Sequence, residues 1–350
     1  MPSLKPRVRL VLFDVFDTLC TPRLPIHEQY AAEAHAAGIR SVTALSVRAA
    51  FKPGELDATT LCTTTNVQGS HFPGHVRDVG DENVSSCPDP WILCTIVLDS
   101  SHVRHDSGTR SSRDIRQGET LNGPFAPISS ASAAADVCSP AYKEMTATHP
   151  LYGKHSRPPL TPEAWWTALI NKCMVHAGAT EQELAEHGQH LAKALLRRFE
   201  SDVGYKNFPE TLSTLKGLRD LGVKISAVSN ADPRILHTLS ALGIEQLFTT
   251  EPTLSWDVEA SKPSPVIFHA ACERAGEQPG EGVIMVGDEL EADFNGARSA
   301  GLEARLVRRP GEWSDGAIRE AEEDLGGVNV VRSLEAVLAE TRQRNTTTAT

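Results

Sequence analysis

Leu10-Val11-Leu12-Phe13-Asp14-Val15-Phe16-Asp17-Thr18-Leu19 opens with four apolar residues and then turns acidic. The apolar part reads as a short buried strand with Asp14 at its carboxyl end. A carboxylate there is costly to remove from water unless a cation or several donors compensate it, so Asp14 asks for partners. Three polar signatures downstream answer it: Ser229-Asn230, Lys262, and Gly287-Asp288 with Asp293. Each stands at or just beyond the carboxyl end of a predicted strand or at a following helix start, the edge at which open α/β sheets bind ligands.

Working outward, residues 162–340 alternate amphipathic helical stretches with short β-branched runs, the pattern of a parallel sheet flanked by helices. Strands are predicted over 223–228, after a helix over 210–221 and the stop Gly222, over 282–286, after a helix over 265–275, and over 303–307, after Gly301. With the strand ending at Phe13 they form an α/β open parallel sheet with helices on both faces, assigned to 1–21 and 205–341. Helices over 26–48, 162–175 and 180–200 form an inserted helical lid, or cap, over 22–53 and 141–204. Trp165 and Trp166 read as cap core, Met145, Met174 and Met285 as packing, and Glu289 and Glu291 as a solvated helix start.

Residues 54–140 lose this periodicity and become rich in Ser, Thr, Gly, Asp and Pro, as in Ser111-Ser112-Arg113-Asp114. Such a segment buries too little apolar surface to offset its ordering entropy. It is expected to be a disordered loop interrupting the cap. Phe51-Lys52-Pro53 would continue smoothly into Ala141-Tyr142-Lys143-Glu144, so a translated intervening sequence is one origin for it. The strand-like run over 91–98 has no evident partner, and His71, His75, His102 and His105 have no regular scaffold to make them a metal site. The polar end, 342–350, reads as a disordered tail.

A chain of 350 residues with 40% hydrophobic content buries a full core, and its formal charge of -11 disfavours a broad surface for nucleic acid or anionic lipid. Small-molecule partners are expected. The chain shows no cleavable leader before its first strand and no stretch long enough to cross a bilayer, so an intracellular place, cytoplasmic or nuclear, is expected. Seven scattered cysteines without a CxxC pair indicate free thiols.

The chemistry of the four signatures is coherent. Asp288 and Asp293 bring more negative charge to Asp14, which makes sense if a hard cation such as Mg²⁺ sits among the carboxylates. Lys262 neutralises what remains. Ser229 and Asn230 supply donors suited to a phosphoryl or carboxylate oxygen, and the helix start near Pro233 adds backbone donors. Singly, each residue has a plain reading as a loop cap, strand end, surface charge or helix start; four in order at corresponding strand ends favour a site.

On these residues the chain resembles the haloacid dehalogenase superfamily of hydrolases. The resemblance rests on Asp14-Val15-Phe16-Asp17-Thr18, Val228-Ser229-Asn230, Ser261-Lys262-Pro263, and Gly287-Asp288 with Asp293, and covers the sheet and the cap. Within the superfamily, Asp14-Val15-x-Asp17-Thr18-Leu19, Trp165-Trp166 and Ser229-Asn230-x-Asp232 look most like the branch of haloacid dehalogenase-like hydrolase domain-containing protein 3 and rhythmically expressed gene 2 protein. The resemblance implies a Rossmann-like core. It also implies that Asp14 is a nucleophile forming a covalent aspartyl intermediate, and that Asp14, the Phe16 backbone carbonyl and Asp288 hold Mg²⁺ with Asp293 in support. Ser229, Asn230 and Lys262 would bind the transferring group of a small phosphorylated metabolite, Lys262 would steady the nucleophile, and the cap would select the substrate.

Phe16 departs from the pattern. Phosphatases of the superfamily place a second aspartate there, to protonate the leaving group and activate water, and such assistance is worth ~10²–10⁴-fold. Asp17 is a poor replacement, since it stands where the family has glycine and neighbouring strand residues face opposite ways. Dehalogenases lack that aspartate too, but they need no metal, and their counterpart of Gly287-Asp288 is generally neutral. A slow or specialised Mg²⁺-dependent phosphatase is therefore the expectation. A carbon–halogen hydrolase and a non-catalytic binding protein are the alternatives.

Overall fold

The first strand is hydrogen-bonded on both sides, and everything else in the core is arranged about it. The computed structural model describes residues 7–51, 139–310 and 324–347. The expectations for 54–138, including the run over 91–98, the four histidines and Cys62, Cys87, Cys94 and Cys138, lie outside the described residues, as do 348–350.

Strand β1 (Leu10–Phe13) is wholly apolar and buried, as befits a strand covered on both faces. A two-stranded antiparallel ribbon, β2 (Cys20–Pro22) with β3 (Tyr205–Asn207), joins the core to the cap. The remaining strands are β4 (Lys224–Ser229), β5 (Thr253–Leu254), β6 (Val283–Gly287), β7 (Glu303–Val307) and β8 (Val330–Val331). They and β1 make a six-stranded parallel sheet in the order β5-β4-β1-β6-β7-β8. Phe13 pairs with Ala227 on one side and Val286 on the other, so β1, β4 and β6 end nearly level. The chain builds outward from β1 to β5 and then returns to β6 on the opposite side, which makes the carboxyl end of β1 the switch point where such sheets open a crevice.

Alternation along β1 fills both layers. Val11 and Phe13 join the apolar cluster containing Leu215, Leu218 and Val337, whereas Leu10 and Leu12 join that containing Ile267, Phe268 and Ala297. The covering helices on the first face include α6 (Thr211–Asp220) and α11 (Leu334–Thr347); on the second they include α9 (Pro265–Arg274) and α10 (Gly296–Ser299). Between α6 and α9 lie α7 (Ile235–Ala241) and the single turn α8 (Ser255–Val258).

The helices expected to form the cap share an apolar cluster of their own, centred on Trp165, Leu169, Met174 and Leu191. They are α1 (Ile26–Ala37), α2 (Ala44–Phe51), α3 (Ser139–Thr148), α4 (Pro162–His176) and α5 (Glu181–Phe199). Thr161 caps α4 ahead of a proline at its first position, and Thr180 with Glu183 forms a capping box on α5. Phe51 and Ala141 meet in this same cluster. No described helix is long and apolar enough to cross a membrane.

Two expectations need correction. The single helix over 26–48 is two, because Gly38 takes φ 112°, a left-handed conformation that ends α1. The tail expected over 342–350 is helical as far as Thr347. There Thr341 is buried, Arg344 pairs with Glu303 at 2.8 Å, and Asn345 accepts from the Val8 amide at 2.8 Å while donating to its carbonyl at 3.0 Å.

Candidate active site

Backbone pairing and three buried acids define the site. The Asp14 amide donates to the Val286 carbonyl at 2.9 Å, which extends the β1–β6 pairing by one residue and holds Asp14 beside Asp288. Asp293 comes from a π-helical turn, Leu290–Asn295, and its Oδ2 accepts from the Glu289 amide at 2.9 Å. Wide turns of this kind often re-aim a side chain at a functional site. One oxygen from each of Asp14, Asp288 and Asp293 lies within 4.8 Å of the others, and all three residues are buried. Gly287 makes this geometry attainable, since a Cβ at that position would lie 2.2 Å from the Asp293 carboxylate.

Lys262 enters the cluster from the β5–α9 connection. Its ammonium donates to Asp14 Oδ1 at 2.5 Å and to Asp293 Oδ1 at 2.6 Å. Asn230 fixes the lysine by its backbone: Oδ1 accepts from the Lys262 amide at 2.7 Å, and Nδ2 donates to its carbonyl at 3.1 Å. Burial pushes the Asp14 carboxyl up to about 8, with Lys262 drawing it down while Asp293 and Asp288 add to the rise. Burial works to lower Lys262, yet the charges of Asp14 and Asp293 outweigh it and hold the ammonium above its ordinary value. Burial and the crowding of three acids at one point are what raise Asp14, and a divalent cation with oxygen ligands relieves such crowding. Ser229 ends β4, and its Oγ is buried with no hydrogen-bond partner among the described residues, a ready donor for a ligand oxygen.

The loop after Asp14 is held firmly. Asp17 takes φ 55°, which explains why a glycine suits this position. Its Oδ1 accepts from Thr21 Oγ1 at 3.2 Å, on the ribbon side. Thr18 Oγ1 donates to Asp288 Oδ1 at 3.1 Å. Arg309, just beyond β7, donates to the carbonyls of Asp17 and Thr18 at 2.9 and 2.7 Å, pairs with Glu210 at 2.8 Å and lies over the Phe208 ring. Arg308 donates to the Asp288 carbonyl. Phe16 is half-buried, its ring 4.9 Å from that of Tyr205.

Asp14, Lys262, Asp288 and Asp293 are thus brought into one cluster, with Asn230 behind Lys262 and Ser229 at the neighbouring strand end. Sequence reasoning passed over Arg308 and Arg309, whose signal is a pair of arginines directly after an apolar strand. It also placed Trp166 in the cap core. Trp165 is fully buried there, and Trp166 packs half-buried against the same cluster while its Nε1 reaches out of it, donating to Asp232 Oδ2 at 2.7 Å. Tyr152 makes a second such link, its hydroxyl donating to the Asn230 carbonyl at 2.7 Å. Met145, Met174 and Met285 are buried packing residues. Glu291 is exposed, whereas Glu289 is half-buried, its amide on Asp293.

Comparison with known proteins gives the family. The family model for haloacid dehalogenase-like hydrolase matches residues 124–301. Haloacid dehalogenase-like hydrolase domain-containing protein 3 of Danio rerio is 30% identical over 222 residues, which cover 63% of this chain and 86% of that protein. Rhythmically expressed gene 2 protein of Drosophila melanogaster is 24% identical over 172 residues, 47% of this chain and 64% of that one. Glyceraldehyde 3-phosphate phosphatase of Methanopyrus kandleri is 35% identical over 127 residues, 36% of this chain and 53% of that one.

Proposed function

The chain belongs to the haloacid dehalogenase-like hydrolase family, and from that premise we propose that it is a Mg²⁺-dependent phosphatase acting on a small phosphate ester. The observation that carries the reading is the buried cluster of Asp14, Asp288 and Asp293 around the ammonium of Lys262. A divalent cation gives this crowding of buried acids a use. The likeness of part of the chain to a glyceraldehyde 3-phosphate phosphatase points the same way.

Closely spaced carboxylate oxygens fit Mg²⁺ as ligands. Asp14, the Phe16 carbonyl and Asp288 would hold the ion, with Asp293 supporting them. When bound, it offsets their charge and polarises the phosphoryl oxygens. Asp14 attacks phosphorus, the bond to the ester oxygen breaks, and that oxygen takes the electron pair. Water then attacks the aspartyl phosphate, releasing phosphate and restoring the carboxylate. Lys262 favours the ionised form of Asp14 against its burial and faces the transferring group together with Ser229, while Asn230 positions Lys262 through its backbone. Phe16 donates no proton, so the leaving oxygen departs without a side-chain acid and activity is lowered for poor leaving groups.

Phe16 also favours a second reading, a non-catalytic protein that keeps the fold for binding. Phosphate release from acyl and alkyl phosphates, with and without Mg²⁺, separates the two. The phosphatase reading requires release that chelation abolishes and that Asp14→Asn lacks. Halide release from 2-haloacids without metal would support a carbon–halogen hydrolase instead.

A further inference from the structure

Between the cap and the core, bordered by Phe16 and Asn230, lies a cavity of about 90 Å³. One wall is a string of rings: Phe16 to Tyr205 at 4.9 Å, Tyr205 to Phe199 at 5.6 Å, and Phe199 to Tyr30 at 5.7 Å between centroids. Trp166 and Leu196 help to line the rest. The lining cation is already engaged. Arg234 donates through Nε and Nη2 to both oxygens of Asp232 at 2.9 Å, lies over the Trp166 ring and reaches Glu200 at 3.5 Å. Thr238 donates to the Phe199 carbonyl and Tyr152 to that of Asn230. The Tyr205 hydroxyl, on a side chain 5% exposed, makes no hydrogen bond among the described residues.

Resting on the phosphatase reading, we propose that the alcohol part of the ester is a small aromatic, phenol-type group seated among these rings. Two separate observations meet in it. A sugar or polyol placed there would bury several hydroxyls against rings, with the Tyr205 hydroxyl and the Glu200 carboxylate to share among them, whereas an aromatic ring finds edge and face contacts along the wall. Phe16 also removes the acid that an aliphatic alkoxide needs, and a phenolate, being far less basic, leaves without one. The same side chain therefore shapes the pocket and restricts the chemistry. The bond from phosphorus to the aryl oxygen breaks with both electrons going to the phenolate, and the phosphoryl group passes to Asp14; water then attacks phosphorus, supplies the fourth oxygen of inorganic phosphate, gives up a proton to solvent and restores the carboxylate.

The test uses the full-length protein with Mg²⁺ and three substrates: phenyl phosphate, glycerol 3-phosphate, and acetyl phosphate, which has a good leaving group but no ring. Phenylphosphonate and methylphosphonate serve as inhibitors of acetyl phosphate hydrolysis. The expected kcat/KM for phenyl phosphate exceeds that for glycerol 3-phosphate by ~100-fold, the lower end of what general acid assistance supplies. Phenylphosphonate is expected to inhibit ~10-fold more tightly than methylphosphonate, as apolar pocket contacts allow. Leu196→Trp, which fills the cavity, should reduce the ratio of phenyl to acetyl phosphate turnover by ~10-fold. Acetyl phosphate hydrolysis with no ring preference in either turnover or inhibition would overturn the aromatic assignment and leave the phosphatase standing. No Mg²⁺-dependent hydrolysis of any of the three would overturn both.

Discussion

Lys262 holds its ammonium 2.5 Å from Asp14 Oδ1, and both side chains are buried. The contact joins residues 248 positions apart, so the nucleophile candidate is oriented only once the β5–α9 connection has docked on β1. Lys262→Met should therefore abolish turnover and, in chelator, lower stability by about 3–5 kcal/mol by stripping the buried carboxylates of their bonded cation. Mg²⁺ should raise the melting temperature of both proteins, more so in the variant, because binding to the native state alone stabilises it. Thermal scans with EDTA and with Mg²⁺ check this; equal scans in the two conditions would speak against a cation among the three acids.

Gly287→Ala places a methyl where Asp293 now lies, 2.2 Å from its carboxylate. The acid must move or β6 must shift, at a cost of about 1–3 kcal/mol. Phosphatase turnover should fall steeply and the concentration of Mg²⁺ needed for half-maximal rate should rise. Denaturant unfolding and a Mg²⁺ titration measure the two effects.

Glu303 opens β7 and ties the sheet to α11. Although burial works to raise its carboxyl, bonds from Arg344, the Gly282 amide and Arg305 lower it to about 2 from an ordinary 4.5. The ionised form is thus favoured by folding. Its contribution is complete above the unfolded value of 4.5 and disappears as pH falls through about 2. Glu303→Gln should cost about 1.5–3 kcal/mol near neutral pH and flatten the loss of stability between these limits. A series of unfolding curves from pH 7 downward would reveal it; parallel slopes in the two proteins would contradict the assignment.

The strands and the acids could be read in advance because each signature couples a short apolar run to a polar residue at its end, as Phe13 does with Asp14 and Val286-Gly287 with Asp288. Such information is local. What escaped reading depends on distant partners. Arg309 after β7 looks like surface charge until the loop at Asp17 and Thr18 folds beneath it. Asn345 sits in a polar tail whose partner, Val8, belongs to the other end of the chain. Trp165 and Trp166 are neighbours in sequence but point about 100° apart around a helix; one therefore enters the cap core while the other bonds Asp232. Gly38 stands within an otherwise helical pattern, and only its left-handed φ reveals that α1 stops there.

On the proposed reading the nucleophile and metal cluster is intact but lacks its acid, and 4-nitrophenyl phosphate turnover isolates it because that leaving group needs little protonation. Rates with Mg²⁺ and with EDTA would be compared for the parent, Asp14→Asn and Phe16→Asp. Mg²⁺-dependent turnover is expected in the parent, with loss in Asp14→Asn and a gain in Phe16→Asp that is larger for alkyl phosphates than for this substrate. Turnover that survives in Asp14→Asn, or that ignores Mg²⁺, would contradict that reading.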